Sequence, residues 1–115
     1  GCHLDANNVI WADQVGASPL DWIEAFSPAP DTDMSLAQAR AAWPGKTMFI
    51  NFPSSVHLQS AETIATTTRQ LIIESAPGDR FVVGITENVP ENRWRESFRV
   101  ILDTLNAEGR LPIRV

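Results

Sequence analysis

A histidine and an aspartate stand two residues apart in the opening stretch GCHLDANN. His3 and Asp5 flank Leu4, so in an extended segment both side chains emerge on one side. An imidazole nitrogen and a carboxylate oxygen both suit zinc or a similar divalent ion, and the same pair can hold a polar substrate. Two ligands do not make a site, and a lone pair of this kind near a chain end most often faces solvent. Other segments carry groups able to join it: WIEAF carries Glu24, FINFPSSVHL carries Asn51, Ser54, Ser55 and His57, and ITENVP carries Glu87. Cys2 adds a thiol that is either a ligand beside His3 or a free cysteine.

These groups need elements to position them. WIEAF, TMFINF and RFVVGIT are short, rich in Ile, Val and Phe, and bounded by Pro, Gly or Asp, so they are expected to be strands. Between them lie stretches of helical period. SLAQARAAW has Ser35 and Gln38 at capping-box spacing and stops at Pro44-Gly45. SAETIATTTRQLIIESAPG puts Ile64, Thr68, Leu71 and Ile72 on one face. In ENRWRESFRVILDTLNAEG, Trp94, Phe98, Ile101, Leu102 and Leu105 form an apolar stripe that ends at Gly109. Trp43 and Trp94 stand at core spacing and are expected to pack.

Strands separated by helices make parallel sheets. A β/α unit runs about 30 residues, so four units fill the 115 residues if CHLDA is the tail of a first strand. The expectation is one α/β domain over residues 1–115 with a parallel sheet of four β/α units. Strand alternation sets Trp22, Glu24 and Phe26 on one face, with Phe49, Asn51 and Pro53, then Val82, Gly84 and Thr86, matched to it. Parallel strands are usually almost wholly apolar. Glu24 and Asn51 therefore need partners or a cavity, Glu24 the more so because burying a carboxylate is costly. All the polar candidates fall just past strand C-termini, where α/β folds place their ligands.

Composition narrows the partners. With 43% apolar and 20% charged residues the chain reads as globular, and its single cysteine excludes an internal disulfide framework. The net charge of −5 comes from 14 acidic against 9 basic residues, the latter scattered singly, which argues against nucleic acid. No run approaches the about 20 apolar residues of a membrane span, and the sequence carries no charged n-region followed by an apolar h-region, so no leader is expected unless one has been removed. A cytoplasmic location is expected. No phosphate loop, dinucleotide fingerprint or nucleophile elbow occurs.

HLDANN, WIEAFSPAP, MFINFPSSVHL, FVVGITENVPENRW and the closing NAEGRLPI together resemble the last four β/α units of the uroporphyrinogen decarboxylase superfamily, which includes corrinoid-dependent methyltransferases. The resemblance spans nearly the whole chain and rests on order and loop position, each motif being weak alone. It implies a half TIM barrel with its site at the strand C-terminal ends, since a complete barrel needs about 250 residues. In the methyltransferase branch a His-x-Cys pair and a later cysteine hold a zinc that activates a thiol. His3 matches the histidine, Asp5 stands at the first cysteine, and the Pro53-Ser54 region stands at the second. Both thiolates are missing, which leaves His3, Asp5 and Glu87 as an oxygen-rich metal set. Glu24 and Glu87 are then the implied catalytic groups, and Asn51 and His57 the implied substrate-binding groups.

Corrinoid is expected only through a partner, and turnover by the isolated chain is not expected. The rival expectations are a non-catalytic binding or assembly module and a truncated product without a settled role. A half-barrel would leave Trp22, Phe26, Phe49 and Val82 facing water and two strand edges unpaired, so a homodimer is expected, either closing a barrel or stacking two sheets.

Overall fold

Four short strands form one parallel sheet in chain order: β1 (Cys2–His3), β2 (Trp22–Phe26), β3 (Thr47–Asn51) and β4 (Phe81–Gly84). They alternate with helices α1 (Ala12–Ala17), α2 (Leu36–Ala42), α3 (Ala61–Ser75) and α4 (Trp94–Glu108). The computed structural model describes residues 1–85 and 88–115. The protein is α/β, a parallel sheet of four β/α units. Sheet neighbours are also sequence neighbours, without the reversal of order that marks doubly wound folds. This is the winding of half of a (β/α)8 barrel. The chain divides into two compact units, Gly1–Pro53 with Arg80–Glu87, and Ser54–Asp79 with Asn88–Val115.

The first unit carries the sheet. Ile23 and Met48 are register partners and both are buried, whereas the next partners, Glu24 and Phe49, lie on the opposite, open face. Trp22, Phe49 and Val82 on that face remain about 40% exposed (40%, 39% and 42%). The expectation that Phe26 joins them is overturned, since Phe26 is fully buried. The cause is a break in alternation. Ala25 has φ of 55°, the β2–β3 register shifts between Glu24 and Phe26, and Phe26 therefore pairs with Ile50 on the buried side. There it meets the Trp43 ring edge-on, with centroids 5.5 Å apart.

Two devices set the approach to β2. Lys46, almost wholly buried, donates from Nζ to the carbonyls of Ser18 (2.9 Å) and Leu20 (2.8 Å), tying down the segment before Trp22. The indole N–H of Trp43 donates to the Ala12 carbonyl at 2.9 Å, which joins the end of α2 to α1. α1 and α2 approach closely at Gly16, where an added Cβ would stand 2.8 Å from the Ala42 carbonyl oxygen. The capping box of α2 forms as its spacing predicts: Ser35 Oγ accepts from the Gln38 N–H, and Gln38 Oε1 accepts from the Ser35 N–H.

The second unit pairs α3 with α4. Ile64, Thr68, Leu71 and Ile72 are buried along α3, as its period predicts. On α4 the buried line is Ser97, Ile101 and Thr104, while Leu102 (57%) and Trp94 (41%) are exposed. The expected stripe is thus rotated, because small hydroxyl residues let this helix pack closely. Thr104 returns its hydroxyl to the Val100 carbonyl, and Ser97 meets the buried His57. Trp94 stands outside the core, covered by Phe98 on one side and by the Arg95 guanidinium, 5.1 Å from its ring centre.

Candidate functional site

His3 and Glu24 are register partners on neighbouring parallel strands, so their side chains project side by side on the open sheet face. The Nδ1 of His3 is hydrogen-bonded to Glu24 Oε2, and its Nε2 lies 3.2 Å from Asp5 Oδ2. One imidazole is thus held between two carboxylates. This raises its pKa above the ordinary 6.5, through the hydrogen bond to Glu24 first and that to Asp5 second. The Glu24 carboxylate is the more sheltered of the two, with 32% exposure against 50% for Asp5.

The loop carrying Asp5 is knitted to the loop after β2. Asp33 Oδ1 accepts from the backbone N–H of Asn8 (2.9 Å) and of Val9 (3.3 Å), and Asn7 Oδ1 accepts from the Asp33 N–H (3.1 Å). The Asn8 amide closes its own turn on the Ala6 carbonyl at 2.6 Å. The two asparagines after His3 and Asp5 therefore shape the loop.

Beside Glu24 the open face forms a hollow of about 420 Å³, lined by Asp21, Trp22, Glu24, Thr47 and Phe49. Trp22 and Phe49 meet in its wall with centroids 5.7 Å apart and planes at 67°. The residue type at position 1 matters here as well, because a Cβ on Gly1 would run into the Trp22 ring.

Comparison with family models, with curated proteins and with solved structures gave no match in any of the three. The site therefore stands on its own geometry. Of the residues that the sequence singles out, His3, Asp5 and Glu24 come together. Asn51 is fully buried, with its amide donating to the Ser27 hydroxyl at 3.4 Å, and it presents nothing to the open face. His57 belongs to the other unit and is fully buried, with Nδ1 2.5 Å from Ser97 Oγ. Glu87 lies outside the described residues. Trp22 and Phe49 were legible from alternation as residues of one shared sheet face. Asp21, Thr47 and Asp33 were not, because no period or motif marks a residue that lines a hollow or braces a loop.

The donor set can also be weighed against a zinc ion. Both ring nitrogens of His3 are turned to carboxylate oxygens, which is how an imidazolium is held, whereas a metal needs one nitrogen lone pair free. Among the described residues no group of three or more His, Cys, Asp or Glu side chains is arranged to hold a metal ion. His3, Glu24 and Asp5 are arranged around a proton, and the third expected metal ligand, Glu87, lies outside the described residues. No helix among the described residues is long and apolar enough to cross a membrane.

Proposed function

We propose that this chain is a half-barrel related to the uroporphyrinogen decarboxylase-like methyltransferases, and that it binds a small molecule on the open sheet face beside His3. The observation that carries the reading is the imidazole of His3 held between Glu24 and Asp5 at the edge of a hollow that Glu24 lines. Glu24, on the same row of the sheet, fixes the ring through Nδ1. Asp5 is half exposed and its contact to Nε2 is the longer, so the Nε2 proton is the one offered to a ligand. The two carboxylates favour the protonated form of His3, which serves as a proton donor. No step is assigned to a metal.

A panel of small carboxylates, phosphates, amines and neutral metabolites, read by thermal unfolding, tests the reading. At least one class should raise the wild-type midpoint by about 3 °C or more, with the gain lost in Trp22→Ala and reduced in His3→Gln. A panel with no stabilising member would overturn it.

The same reading includes a two-fold homodimer. Trp22, Phe49 and Val82 each remain about 40% exposed, and β1 and β4 are sheet edges among the described residues. Pairing two such sheets edge to edge would enclose the apolar face and leave the hollow inside a closed barrel.

A further inference from the structure

We infer that the hollow lined by Trp22 and Phe49 takes a compact organic cation, an ammonium group with an apolar body, and that Glu24 supplies the counter-charge. The inference rests on the small-molecule reading above and names its ligand class.

Shape comes first. At about 420 Å³ the hollow lies within the range of small-molecule sites, roughly 300–1,000 Å³. Its wall holds two large aromatic rings in edge-to-face contact at 67°, each about 40% exposed, so a guest resting against the pair meets a continuous aromatic surface. A cation within about 6 Å of such ring centres is attracted by the negative ring faces, more strongly as it is desolvated.

Charge then selects among guests. The polar lining consists of two carboxylates, Asp21 and Glu24, and one hydroxyl, Thr47; no basic side chain lines the hollow among the described residues. The nearby positive group, His3, is already held by Glu24 on one side and Asp5 on the other. Glu24 spends only Oε2 on His3, and Oε1 makes no hydrogen bond among the described residues. An anionic guest would face two carboxylates with a single hydroxyl to donate to it. A neutral apolar guest would cover Glu24 and strip its hydration without replacing it. An ammonium removes both difficulties, since it sits against the rings while its charge meets Glu24.

The test compares choline with 3,3-dimethylbutan-1-ol, a neutral molecule of nearly the same shape, titrated into the full chain at pH 7 and followed by proton NMR of the indole N–H signals. Choline is expected to bind at least tenfold more tightly than the neutral molecule. Trp22→Ala and Glu24→Gln should each weaken choline at least fivefold, while Trp22→Phe, which keeps a ring, retains most of the affinity. Unchanged circular dichroism in these variants separates loss of binding from loss of fold. Equal affinity for the two molecules, no binding of either, or choline binding insensitive to Glu24→Gln would each overturn the inference. If choline fails while another class in the thermal panel stabilises the protein, only the cation assignment falls; if the whole panel is flat, the small-molecule reading falls with it.

Discussion

His3 and Glu24 face each other across the β1–β2 pair as register partners, and the imidazole hydrogen-bonds through Nδ1 to the Glu24 carboxylate. The relationship is set by backbone pairing, so the ring is held by the sheet and not by a flexible loop. Asp5, two residues on, closes the other nitrogen.

His3 should therefore titrate above 6.5. Two-dimensional NMR of the imidazole resonances should show Glu24→Gln lowering the midpoint more than Asp5→Asn, because the Glu24 contact is the larger cause of the shift. The linkage has a definite sign. A group whose pKa is raised on folding stabilises the fold fully below its unfolded value, and that contribution is lost as pH rises through the folded value. Wild type should thus exceed His3→Gln in stability most clearly below pH 6.5, with the gap closing above it. A midpoint at or below 6.5 would contradict the held-imidazolium arrangement.

The two phenylalanines of β2 and β3 should separate sharply. Phe26→Ala removes a fully buried ring that packs on Trp43 and should cost about 3–5 kcal/mol. Phe49→Ala, on the open face, should cost about 1–2 kcal/mol, since water refills the space. Urea unfolding of both variants measures this. Equal losses would mean that alternation continues through Ala25.

That contrast also shows where the sequence stops being informative. The Ser35–Gln38 capping box and the α3 face are local patterns, and each appears as read. The Phe26 side could not be read, because a bulge is set by how β2 pairs with β3 and leaves no mark in WIEAF itself. The α4 stripe failed for a related reason: hydropathy favours Leu102 and Trp94, but the close helix contact selects the smaller Ser97 and Thr104. At the site, His3 and Asp5 were visible by type and spacing, whereas their joining to Glu24 depends on the β1–β2 register. Asn51 and His57 carry suitable chemistry but are fully buried.

Lys46 offers a test of how the hollow is positioned. Its Nζ satisfies the carbonyls of Ser18 and Leu20 just before Asp21 and Trp22. Lys46→Met keeps most of the stem but leaves those acceptors without their donor, at a cost of about 1–3 kcal/mol. Hydrogen exchange at Leu20 to Trp22 should accelerate more than at α3. Uniform acceleration across both units would point to a general loss of stability instead.

Association is the remaining test. Three large apolar side chains, Trp22, Phe49 and Val82, share the open face, and covering what remains exposed of each is worth about 1 kcal/mol. Edge-to-edge pairing of β1 and β4 between two copies would add backbone hydrogen bonds that neither edge makes alone. Light scattering at about 10 µM should give twice the 12.7 kDa chain mass. Phe49→Asp places a charge among the apolar side chains that pairing encloses and should return the mass to that of one chain. A monomeric mass at this concentration would remove the dimer from the proposed function while leaving the His3 site unaffected.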